Sequence, residues 1–159
     1  MAQAASNTAP YPFTAFNFSV EITRTGESKP MCNAAFSECD GLEMTMEVKT
    51  IREGGNNSRQ IRLTGPAAFG QLTLKRGMTS STDLWNWFRD TLANPSLRAD
   101  AEVVLLSADG GEERARFLLS RCLPVKLKAP PLNAKDGMVA IEELQVAYES
   151  LELKPPGNA

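Results

Sequence analysis

The sequence predicts a mainly β (α+β) protein, a two-sheet β-sandwich or barrel with one flanking helix. Three observations carry that expectation. Short stretches alternate apolar with polar residues, clusters of Gly, Pro, Asn and Asp separate them, and one segment after Ser80 switches to helical spacing. With 159 residues the chain suits one domain, large enough to bury about 70% of the surface its unfolded form exposes. The expected division is a flexible segment over 1–12, a domain over 13–153 and a tail over 154–159.

Phe16, Phe18, Val20 and Ile22 alternate with Asn17, Ser19, Glu21 and Thr23, predicting a half-buried strand within 13–24. Turn residues from Thr25 to Pro30 follow, then a strand from Met31 to Cys39 in which Cys32, Ala34 and Phe36 share a face. Asp40-Gly41 is expected to break it in a bulge or tight bend. Leu42, Met44, Met46 and Val48 alternate with Glu43, Thr45, Glu47 and Lys49, so the next strand places both methionines on a buried side as adaptable packing.

Gly54-Gly55-Asn56-Asn57 tolerates positive φ at little steric cost, and alternating segments flank it. The reading is a hairpin with a polar tip, returning near Arg59 to Leu63 and ending at Gly65-Pro66. Arg52, Glu53 and Arg59 around the tip suit a contact surface better than catalysis. Leu72 and Leu74 open a further short strand, and Lys75-Arg76 reads as solvated or interface charge.

Ser80-Ser81-Thr82-Asp83 offers N-caps for a helix from Thr82 to Ala93, stopped by Asn94-Pro95. Leu84, Phe88 and Leu92, with Trp85 beside them, form its expected buried stripe. Trp85 and Trp87 fall on different faces, so core packing and an inter-subunit contact both stay open for them. Asp109-Gly110-Gly111 marks a hairpin between strands over 102–108 and 113–121. The chain continues as a strand to Lys128, with Val125 and Leu127 opposite Lys126 and Lys128, and Pro124 marking an edge or bend. Over 138–153, helical spacing (Ile141, Leu144, Tyr148, Leu151) competes with alternation (Leu144, Val146, Tyr148), and pattern alone does not arbitrate.

Composition excludes several function classes. A net charge of −2 lacks the basic excess that phosphate binding needs, and neither Lys75-Arg76 nor Lys126/Lys128 is dense enough for sequence-specific nucleic acid. No apolar run approaches about 18 residues, so no membrane insertion is expected. The start reads as no signal peptide, and Cys32, Cys39 and Cys122 fit a reducing compartment better than a disulfide scaffold or zinc site. The absence of histidine removes Ser-His-Asp triads and Cys-His dyads, so no catalytic, cofactor or metal residue is expected. A carboxylate pair remains open on composition, although a solvated strand face explains most of the acids. Gly54-Gly55 has no phosphate-loop context.

Arg52-Glu53-Gly54-Gly55-Asn56-Asn57, Leu63-x-Gly65, Leu72-x-Leu74-Lys75-Arg76-Gly77 and Leu84-Trp85-x-Trp87, in that order, resemble the inner-tube proteins of contractile tails. These are the phage tail-tube proteins and their relatives in extracellular contractile injection systems. Phe16-x-Phe18-x-Val20, the segment from Phe36 to Leu42 and that from Ala140 to Leu144 also look like the family, extending the resemblance over about 13–153. It implies a two-sheet fold with a flanking helix and a strand for the closing segment. It also implies homohexameric rings that stack into a hollow tube, with Arg52, Glu53, Gly54, Gly55, Asn56, Asn57 and Arg59 reaching between rings.

The implied partners are further copies, a sheath protein, a baseplate or tube-initiating protein, a tube terminator and cargo in the lumen. Assembly would take place in the cytoplasm, for a phage tail or tail-like particle that can be released outside the cell. Two rivals stay open. One is a secreted ring that carries effectors, like the haemolysin-coregulated protein of type VI secretion. The other is a monomeric β-barrel around a small apolar ligand.

Overall fold

The structure is a computed structural model that describes residues 11–55 and 58–156. Its strands are β1 (Phe18–Arg24), β2 (Cys32–Ala34), β3 (Glu38–Asp40), β4 (Met44–Arg52), β5 (Gln60–Phe69), β6 (Gln71–Gly77), β7 (Ala99–Leu106), β8 (Glu113–Lys128), β9 (Ile141–Ala147) and β10 (Ser150–Lys154). A single helix, α1 (Asp83–Ala93), lies between β6 and β7 in the described chain. One path of neighbours runs β2-β1-β7-β8-β9-β6-β3, with β10 paired to β8; β4 and β5 pair only with each other.

Strand β8 serves two sheets. Its first part lies between β7 and β10, whereas Leu123 to Lys128 pairs with β9. The changeover falls at Arg121, whose φ of 52° is left-handed, and at a bulge between Pro124 and Lys126. A bulge bends a strand and accommodates a proline that has no N–H for the ladder. The bulge also takes Val125 out of alternation, and it is exposed rather than packed beside Leu127.

The alternations in β1, β6 and β9 do what their period predicts. Val20, Ile22, Leu72, Leu74, Leu144 and Val146 meet Leu119 of β8 and Leu84 and Trp87 of α1 in one core. Each fully buried side chain of this kind contributes roughly 1.5–3 kcal/mol. The ambiguous closing segment is two strands, β9 and β10, parted at Tyr148-Glu149, where the Glu149 N–H donates to the Ser120 carbonyl at 3.0 Å. The Asp109-Gly110-Gly111 hairpin joins β7 to β8 as expected, with Gly110 at φ 78°.

Several expectations are corrected. Phe16 precedes β1 and is exposed. The expected strand over Met31 to Cys39 is two short strands, β2 on β1 and β3 on β6. Cys32 and Phe36 are nevertheless buried and Ala34 packs against them. Gly65-Pro66 does not end the return strand, because β5 absorbs it as a bulge. The register passes from Met46↔Ala67 to Val48↔Thr64, leaving Gly65 and Pro66 opposite Glu47. A Cβ on Gly65 would stand 2.7 Å from the Glu47 carbonyl oxygen, so the bulge requires glycine there.

In α1, Thr82 is the N-cap but makes no side-chain capping bond; the Asp83 carboxylate receives the Leu84 N–H instead. The buried face is Leu84 and Trp87, whereas Phe88 is half-buried and Leu92 is exposed. The stripe is therefore rotated from the expected Leu84-Phe88-Leu92. The largest correction concerns β4, whose Met44, Met46 and Val48 are all exposed.

Candidate assembly interface

Strands β4 and β5 form an arm. The paths β3–Gly41–β4 and β5–Gly70–β6 run side by side, since β3 pairs with β6 and β4 with β5. The arm is thus the outward continuation of the β3/β6 edge, joined across the break by the Gly70 N–H donating to the Glu43 carbonyl at 3.1 Å.

Its root is built tightly. Gly41 has φ 99°, and a Cβ there would lie 1.9 Å from the Gln71 carbonyl oxygen, so only glycine fits. Tyr148, at the end of β9, packs its ring 5.9 Å from that of Phe69. Its hydroxyl accepts from the Glu43 N–H at 3.1 Å and lies 2.7 Å from the Gly41 carbonyl, to which it donates. A body residue thereby fixes both strands of the arm where they leave the sheet.

Register sorts the arm's two faces. Met44, Met46 and Val48 share one face with their partners Phe69, Ala67 and Thr64. Further out, that face carries Thr50 and Arg52 opposite Arg62 and Gln60. The other face pairs Lys49 with Leu63 and Ile51 with Ile61. Met44, Met46 and Val48 are 64%, 55% and 59% exposed. A continuous exposed apolar row of this kind is a candidate interaction surface.

At the tip, Arg52 closes β4, Glu53, Gly54 and Gly55 enter the turn, and Arg59 precedes β5; all are exposed. Gly55 has φ 98°, as the turn reading requires. Asn56 and Asn57 lie outside the described residues. The structure therefore brings Arg52, Glu53, Gly54, Gly55 and Arg59 together at the free end of the arm.

Sequence reasoning missed a buried charge cluster behind the helix. Lys75 does lie near the surface, 3.2 Å from Glu38, but Arg76 is only 5% exposed. Its Nε donates to Glu142 at 2.6 Å and its terminal nitrogen to Asp83 at 2.5 Å, and the guanidinium lies 5.7 Å from the centre of the Phe36 ring. Burial alone would discourage the Arg76 charge, but the hydrogen bonds to Asp83 and Glu142 outweigh it and raise its pKa. Burial likewise pushes the Asp83 carboxyl up, yet Arg76 and the Leu84 N–H hold it below its ordinary value.

The Trp85 indole N–H donates to the other Glu142 oxygen at 3.0 Å, pinning α1 to β9, while Trp87 belongs to the core. A signal was present: Arg76 is in phase with Leu72 and Leu74, and Glu142 with Leu144 and Val146. Burial pushes the Cys32 thiol up to about 12, helped by Asp83, and the Cys122 thiol to about 12, helped by Asp100. Burial and then Asp40 push Cys39 to about 11. All three thiols stay protonated at neutral pH.

A complete core plus an exposed arm with an apolar face fits a subunit that assembles with other chains. Residues 14–152 match the family described as T4-like virus tail tube protein gp19, and the chain belongs to that family. No curated protein matches it. Among solved structures, a chain of the anti-feeding prophage (AFP) baseplate is 28% identical over 92% of this chain and 97% of that one, with a TM-score of 0.80. A chain of the PVC sheath-tube complex of an extracellular contractile injection system is 20% identical over 92% and 94%, TM-score 0.79. Hcp1 from Flavobacterium johnsoniae is 14% identical over 86% and 95%, TM-score 0.51. The latter two likenesses concern the fold alone. The protein is a structural subunit of a tube.

Proposed function

We propose that copies of this chain close into homohexameric rings, and that these rings stack as the inner tube of a contractile tail or injection particle. The tube domain spans 13–153, and the arm tip reaches from one ring towards the next. The observation that carries this reading is the exposed β4–β5 arm on a body whose core is complete without it, in a chain of the tail tube family. The mechanism is passive: a contracting sheath drives the rigid tube forward, and the lumen holds cargo. Catalysis has no part in it.

Ring closure needs a heterologous contact between unlike surfaces, and stacking needs a second one. Sharing strands between copies would also remove sheet edges that otherwise aggregate. A sheath protein, a baseplate or tube-initiating protein and a terminator are the partners. In support, similar solved chains come from complexes described as an AFP baseplate, an AFP tube terminating cap, a PVC sheath-tube complex and a PVC sheath/tube terminator. The particle is assembled in the cytoplasm and acts outside the cell that made it.

The test substitutes both tip glycines, Gly54→Val and Gly55→Val. Gly55 sits at positive φ and no heavy atom lies within 4 Å of a Cβ at either site, so only the tip is strained. Negative-stain electron microscopy should show stacked tubes for the wild type. The variant should show separate rings with unchanged melting. Full-length tubes from the variant would sink the tip's role, and a wild type that stays monomeric even with its initiator would sink the tube reading.

A further inference from the structure

We infer that the Met44-Met46-Val48 face of the arm is received by the 129–140 loop of the copy in the next ring, so that opposite ends of one subunit form the axial contact. This rests on the stacking reading above and supplies the surface on which the arm lands.

Strand β6 is the ruler. The arm leaves the sheet at its Gln71 end, where Gln71 opposes Ala147. At its other end Gly77 opposes Ile141, and Met78 follows. The 129–140 loop, joining Lys128 of β8 to Ile141 of β9, lies at this second end, because Lys128 opposes Glu143. The two ends are separated by the 7 residues of β6, about 20 Å at strand rise.

Each end carries an apolar surface that the chain itself leaves uncovered. On the loop, Leu132 is 91%, Met138 83% and Val139 78% exposed, with Met78 beside them at 47%. The loop is nonetheless shaped. The Met78 N–H donates to the Ala140 carbonyl at 2.8 Å, and the Asn133 side chain donates to Asp136 at 2.8 Å. Pro131, Leu132, Met138 and Val139 line a recess of about 420 Å³.

A projecting apolar row at one end and an apolar recess at the other are the two halves of a heterologous contact. Such a contact repeats without closing when copies are displaced along the strand direction. Covering both surfaces at once removes the exposure that neither can remove within the chain, since a two-stranded ribbon has no layer behind it. Displacement across the strands would instead leave both ends exposed.

The test is cysteine cross-linking in assembled tubes with Val48→Cys and Met138→Cys in one chain. Cys32 and Cys122 are buried and Cys39 is half-buried, so the new pair dominates oxidation. Non-reducing gels should show a ladder of covalent multimers running past the copy number of one ring. The two single variants, mixed, should give dimers and nothing longer. Tubes that form without a ladder would overturn the loop as receiver while leaving stacking intact. A ladder that stops at one ring's copy number would place the contact within a ring and overturn the axial assignment. Wild type that never stacks would remove both readings.

If the cysteine pair itself blocks assembly, Val139→Asp decides. Unchanged melting of the subunit with loss of tubes supports the contact, and normal tubes overturn it.

Discussion

Strands β4 and β6 carry the same apolar alternation and meet opposite environments. Leu72 and Leu74 of β6 are fully buried, whereas Met44, Met46 and Val48 of β4 are each more than half exposed. Between the two regions along the chain lie the tip segment, β5 and a single glycine, Gly70. The difference lies in what stands opposite. Strand β6 faces a second sheet and a helix, while β4 has its partner strand and, among the described residues, nothing that buries its apolar face. A period of two reports that a face is covered, but not whether the cover belongs to the same chain. Substitutions on the two sides of Gly70 should therefore separate cleanly into folding defects and assembly defects.

The largest effect is expected in the body. Glu142→Leu would leave Arg76 buried with Asp83 as its one remaining carboxylate and free the Trp85 indole N–H. Breaking a buried pair in this way costs about 3–5 kcal/mol, read as a large drop in the denaturant midpoint. A variant as stable as the wild type would mean that the cluster is not a structural lock on α1. The Arg76–Asp83 half of the cluster also has a sign in pH. The Asp83 pKa is depressed in the folded state, so its stabilisation is full above the ordinary carboxylate value and drains as pH falls from there through the lowered one.

Between the two regions stands Tyr148, a body residue whose hydroxyl holds the arm's root. Tyr148→Phe keeps the packing on Phe69 and removes the bonds to Glu43 and Gly41. The expected loss is about 1–3 kcal/mol, the range for a hydrogen bond removed with its partners left behind. The amides of β4 and β5 should exchange faster while those of β6 and β9 keep their protection. Uniform loosening would show instead that arm and body open as one unit.

These cases also mark what the sequence made legible. Alternation located β1, β6 and β9, turn chemistry located the arm and the β7–β8 hairpin, and the caps located α1 to within a residue. Pattern failed wherever a third object decided the outcome. Leu92 lies at helical spacing from Leu84, but the sheets contact a face rotated towards Trp87. Cys32 and Phe36 share one core although the chain crosses between sheets between them, because burial does not require one continuous strand. Arg76 read as solvated or interface charge by residue type, and only its phase with Leu72 and Leu74 argued otherwise. The tip was legible as an exposed hairpin; its apolar flank was legible as buried and is covered by no part of the described chain.

The smallest expected effect on folding is the most informative about the arm. Met46 is 55% exposed, and its register partner is Ala67 of the arm itself. In the free subunit Met46→Asp removes little buried area and leaves the new carboxylate in water. Its stability should stay within about 0.5 kcal/mol of the wild type, as at ordinary surface positions. In an assembled tube the same carboxylate would have to enter an apolar contact unpaired, which is costly, so tubes should fail to form. Melting of dilute subunit and electron microscopy of concentrated protein read the two effects separately. Equal losses in both would mean that the arm packs within its own chain, and the division at Gly70 would not hold. Tubes with an intact subunit would mean that the Met44-Met46-Val48 face stays in water after assembly. A choice among these outcomes needs only this one side chain, because it lies on the apolar row and away from both the root at Tyr148 and the tip at Gly55.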